Sequence, residues 1–101
     1  MPPFPSQRAL HAFVSGRVQG VAFRWAARAR ARELGLNGWV RNLEDGRVET
    51  WVEGDATAVD AMRAWLHEGP SAARVSGVIT HPAEPEGLSG FEVRRDQPGL
   101  R

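Results

Sequence analysis

The chain has 101 residues, 42% of them hydrophobic and 25% charged, which gives room for one core, excludes a second domain and does not describe a disordered chain. A formal net charge of only +1 argues against a strong nucleic-acid binder. The absence of cysteine removes disulfides, thiolate metal sites, a cysteinyl-phosphate mechanism and a copper carrier of the usual kind.

Met1-Pro2-Pro3-Phe4-Pro5 lacks the basic start and apolar stretch of a signal peptide. No run approaches the ~20 apolar residues of a membrane helix. A soluble cytoplasmic protein without a membrane partner is the expectation. Residues 1–8 are expected to form a flexible arm, 9–95 a single domain and 96–101 a tail. Ala9 to Ser15 alternates, with Leu10, Ala12 and Val14 on one face and His11, Phe13 and Ser15 on the other, as in a strand. Gly16 to Val21 breaks the pattern with two glycines and reads as a loop. A helix follows from Phe23 to Leu34, with Trp25, Ala26, Ala29 and Leu34 as its apolar side and Gly35 as its stop.

Leu36 to Asn42 and Val48 to Glu53 read as two strands around Asp45-Gly46, a hairpin signal. Asp55 precedes Ala56 to Leu66, where Val59, Met62 and Leu66 recur at helical spacing, so a capped helix is expected there. Gly69-Pro70 closes that stretch. Ala73 to Thr80 reads as a fourth strand, His81 to Gly90 as a loop, and Phe91 to Arg94 as a short last strand. The order gives an α+β fold: a ferredoxin-like βαββαβ sandwich, an antiparallel sheet with two helices on one face. Such a fold does not decide function.

The chemistry concentrates in Gly16-Arg17-Val18-Gln19-Gly20-Val21-Ala22-Phe23-Arg24. A strand enters a glycine loop that opens a helix, whose first-turn N–H groups lack intrahelical partners and carry the positive end of the dipole. Glycine lets backbone approach an anion closely, and a phosphate suits such a place. Arg24 adds a planar guanidinium. A tight turn followed by a helix-surface arginine would have the same spacing. All the basic side chains are arginine, which for most of them reads as compositional bias. Asn42, at the end of the second strand, could hold a water through its amide or could cap the turn.

The loop Gly16 to Arg24 resembles the signature loop of the acylphosphatase family. Gly38-Trp39-Val40-Arg41-Asn42-Leu43-Glu44-Asp45-Gly46-Arg47-Val48 resembles that family's second signature, at the family's usual separation. The likeness runs from about Leu10 to Val93. It implies metal-independent hydrolysis of acyl phosphates, small-molecule substrates, to carboxylate and inorganic phosphate, with no cofactor. It implies that Arg24 is the catalytic phosphate-binding arginine and that Asn42 positions the attacking water. Backbone N–H groups of Gly16, Arg17, Val18, Gln19, Gly20, Val21, Ala22 and Phe23 would hold the phosphate; Ala22 sits where the family varies.

The remaining polar residues carry less. Glu44 and Asp45 read as solvated turn acids rather than a general base. His11, His67 and His81 lack metal-ligand spacing. Arg24, Arg28 and Arg32 share a helix stripe that reads as a solvated face, and the four tryptophans read as packing. The competing classes are an RNA-binding module of this fold, whose expected Gly-Phe aromatic cluster on the central strands is missing, with Trp51 and Phe13 alone as weak substitutes, and a non-catalytic domain of the kind found inside larger proteins. A monomer is the expectation.

Overall fold

Alternation of apolar and polar residues builds a five-stranded sheet, and two 11-residue helices cover one side of it. The computed structural model describes residues 6–96. In chain order these are β1 (Gln7–Arg17), α1 (Phe23–Glu33), β2 (Asn37–Asn42), β3 (Val48–Asp55), α2 (Ala56–Leu66), β4 (Arg74–Ala83) and β5 (Phe91–Val93). The spatial order is β4-β1-β3-β2-β5. β1 pairs antiparallel with β3 and β4, and β2 antiparallel with β3. β5 lies parallel to β2, so the sheet is mixed at this edge rather than antiparallel throughout.

Leu10, Ala12 and Val14 are buried as expected and meet Val40, Val48 and Val52 on the helix side. Phe23, Ala27 and Ala31 of α1 and Val59, Met62 and Leu66 of α2 close over them. The expected apolar side of α1 is corrected here: Trp25 is 54% exposed, with Arg28 stacked 4.7 Å above its ring. The buried stripe is the i, i+4, i+8 row that starts at Phe23.

Boundaries also move. β1 starts at Gln7, which pairs with Asp55, so the expected arm gives up its last residues to the sheet. Residues 1–5 and 97–101 of the expected arm and tail lie outside the described residues. β1 runs to Arg17, with a bulge between Ser15 and Gly16. A Cβ on Gly16 would meet the Arg74 carbonyl oxygen at 2.2 Å, so glycine there lets β1 and β4 close up. β4 extends through His81-Pro82-Ala83, which the sequence presented as loop; Pro82 is tolerated because β4 is an edge strand.

Candidate active site

The loop between β1 and α1 is short and anchored. Val18 is 1% exposed and fastens it to the core. Gly20 (φ 74°) and Ala22 (φ 62°) both adopt left-handed backbone, and Ala22 is the one described non-glycine residue that does. Backbone of this kind can present successive N–H groups to an anion. α1 starts from Ala22 with no side-chain cap and no acidic residue in its first turn. α2 starts conventionally, with the Asp55 carboxylate accepting from the Thr57 N–H. The sequence therefore leaves one helix start unserved by side chains, and that is the one beside Arg24.

Gly16 and Arg17, expected in the phosphate loop, belong to β1, paired with Val75 and Arg74 of β4. Arg24 is in the first turn of α1. Its Nη1 donates to Oδ1 of Asp96 at 2.9 Å, with the Arg24 side chain 29% exposed and that of Asp96 62%. The guanidinium thus already holds an oxyanion group, supplied by the segment that follows β5. No sequence signal pointed to Asp96.

Asn42 ends β2 and pairs with Val48, which pairs in turn with Val14. That row lies at the end of the sheet from which the β1–α1 loop departs, and its side chains face the helices. Asn42 is 8% exposed, and its Oδ1 is buried without a hydrogen-bond partner. Such an acceptor costs free energy unless a ligand or water serves it. A turn-capping role does not describe it: Leu43 N–H to Arg47 oxygen and Gly46 N–H to Leu43 oxygen close the turn through the backbone. Loop and hairpin are joined by Gln19, whose Nε2 donates to the carbonyls of Leu43 (2.8 Å) and Arg47 (2.9 Å).

Asp45 accepts from the Arg47 N–H and Nε. The Arg47 backbone N–H above all holds the Asp45 carboxyl below its ordinary value; desolvation opposes this, and the Arg47 guanidinium adds to the lowering. A carboxylate so held is a weaker base. Arg32 donates to the Phe91 carbonyl at 3.2 Å, which ties α1 to β5. The expected stripe of Arg24, Arg28 and Arg32 therefore divides into three different contacts. Among the described residues no group of three acidic or histidine side chains could hold a metal ion. No described helix is long and apolar enough to cross a membrane. A concavity of about 240 Å³ lined by Arg8, Leu10, Val59, Asp60 and Arg63 opens at the other end of β1, remote from the loop.

The open face of the sheet holds what the sequence did not make evident. His11, Trp51 and Trp39 lie side by side across β1, β3 and β2, with His11 packed on both tryptophan rings. Arg41 and Arg94 stack on Trp39, yet Arg41 is paired with Glu49 and Arg94 with Glu92. Both guanidinium groups on Trp39 are thus already paired with carboxylates.

The family model for acylphosphatase matches residues 10–93. The chain belongs to the acylphosphatase family. An acylphosphatase of Pseudomonas paraeruginosa is 56% identical over 86 residues, 85% of this chain and 94% of that one. The acylphosphatase structure from Coxiella burnetii superposes with a TM-score of 0.84 at 43% identity, covering 87% of this chain and 93% of that chain. Full-length HypF in a phosphate- and nucleotide-bound form has a TM-score of 0.85 at 23% identity, over 99% of this chain but 14% of that one, a likeness of fold alone. Acylphosphatases are hydrolases that act on acid anhydrides, and this chain is an enzyme of that class.

Proposed function

We propose that this chain hydrolyses small acyl phosphates to carboxylate and inorganic phosphate, without a metal or cofactor. The observation that carries the reading is the buried, unpartnered Oδ1 of Asn42, at the sheet end where an uncapped helix and an arginine meet. The phosphoryl group lies on the N–H groups of Val18 to Phe23, with Arg24 clamping its oxygens. Gly16 and Arg17 hold the strand behind. Asn42 Oδ1 accepts from the attacking water and aims a lone pair at phosphorus, opposite the carboxylate.

The new bond forms between the water oxygen and phosphorus, and the bond from phosphorus to the acyl oxygen breaks. The electron pair leaves with the carboxylate, which needs no proton to depart. A phosphoryl oxygen takes the water's proton, so no side-chain base is required. Catalysis is positioning plus electrostatic stabilisation of the equatorial oxygens by Arg24 and the loop. The chain works as a monomer in the cytoplasm, with no nucleic acid or membrane involved.

Benzoyl phosphate hydrolysis in excess chelator tests the reading. Wild type turns over. Arg24→Ala and Asn42→Ala fall by about 10²-fold or more with unchanged circular dichroism. A folded wild type without turnover, or full activity in both variants, overturns it.

A further inference from the structure

Gln19 was expected to contribute only its backbone N–H, yet its side chain makes a separate connection. A carboxamide has two N–H donors on one nitrogen, at a fixed angle. In Gln19 both are used across the mouth of one turn, on Leu43 oxygen at 2.8 Å and Arg47 oxygen at 2.9 Å. Leu43 follows Asn42, and Arg47 precedes Val48, the residue that Asn42 faces across the ladder. The amide therefore grips both arms of the hairpin just on the turn side of the Asn42–Val48 pair. β1 and β2 are not neighbours, since β3 runs between them. The bond spans that strand and sets the loop after β1 against the hairpin after β2.

The same two carbonyls do not depend on Gln19 for their solvation. Leu43 oxygen also accepts from Gly46 N–H, and Arg47 oxygen from Leu43 N–H. Removing the amide orphans neither group, so the fold loses little. What is lost is the distance between two bodies. We propose that Gln19 is a positioning residue: its side chain holds the phosphate loop in register with Asn42, so that the water on Asn42 stands in line with the phosphorus on the loop. This rests on the acyl phosphate reading above. In-line attack is sensitive to errors of about 1 Å, which can cost about 10²-fold. Phosphate binding itself uses N–H groups on one side of the junction and does not feel the slip.

The test uses the full chain and benzoyl phosphate. Gln19→Ala lowers kcat by about tenfold to a hundredfold. Inhibition by inorganic phosphate, a probe of the loop and Arg24 alone, stays within about twofold. The loss vanishes in the Asn42→Ala background, because no positioned water remains to be misplaced. Gln19→Glu keeps the shape but presents donors only when protonated, so its activity relative to wild type rises as the pH falls through the carboxyl range. If Gln19→Ala does not fold, Gln19→Met carries the same measurements. Undiminished kcat in Gln19→Ala or Gln19→Met, a loss that adds in full to that of Asn42→Ala, or a parallel weakening of phosphate inhibition overturns the proposal. An Asn42→Ala variant as active as wild type would instead overturn the underlying reading.

Discussion

Arg24 and Asn42 stand out in the chain because each is a polar residue of useful chemistry at the end of a recognisable element. Their partners do not stand out. Asp96 lies 72 residues from Arg24 and reaches it only because β5 docks beside β2. Sequence spacing has no access to that. The pair is partly exposed, and exposed ion pairs contribute only about 0–1 kcal/mol, so on the proposed reading a doubly charged phosphoryl group supported by the loop would displace the carboxylate. It still competes. Asp96→Asn should tighten inhibition by inorganic phosphate about two- to fivefold and leave kcat near wild type. A weaker phosphate affinity in that variant would show that Asp96 orients the guanidinium rather than opposing the ligand. Gln19 was hidden for another reason: a glutamine in a loop follows no periodicity, and its bonds go to backbone carbonyls that every residue carries.

The elements themselves were legible wherever a local signal and the tertiary demand agreed. α2 begins at its Asp55 cap, and β2 and β3 flank Asp45-Gly46. They were misread where the two differ. Trp25 looks like a core residue, but the helix buries Phe23, Ala27 and Ala31 instead. Gly16 looks like loop, but its freedom serves the strand: it has φ 122° at the bulge, against backbone of β4. Gly20 has open space around its missing Cβ. The two glycines therefore separate by experiment. Gly16→Ala forces backbone apart and should cost more than about 2 kcal/mol in denaturant unfolding. Gly20→Ala pays only for left-handed backbone, about 1–2 kcal/mol, and should chiefly weaken phosphate binding through a re-aimed loop. Equal destabilisation would mean that the bulge can relax.

At the scale of the molecule, the strand–helix order was enough to give the βαββαβ sandwich, because each helix needs one apolar face and the sheet offers one. The order of elements is silent on the open face. There Glu53 is 4% exposed, and its carboxylate accepts from the Trp51 indole and from the N–H groups of Glu86, Gly87 and Leu88. It is the anchor of the segment that leads into β5, and so of the route by which Asp96 reaches Arg24. Burial pushes its carboxyl up, but the N–H donors of Glu86, Trp51, Leu88 and Gly87 outweigh it and hold it below its ordinary 4.5. Lowering in the folded state means that the unfolded chain takes up the proton first as acid is added. The stabilisation is therefore complete above pH 4.5 and is lost as the pH falls through the folded value. Glu53→Gln, which puts an amide against donors, should lose about 2 kcal/mol or more at neutral pH. The gap from wild type should close in urea unfolding as the pH is taken from 7 toward about 3. A gap that stays constant over that range would mean that packing, and not the charge, holds the segment in place.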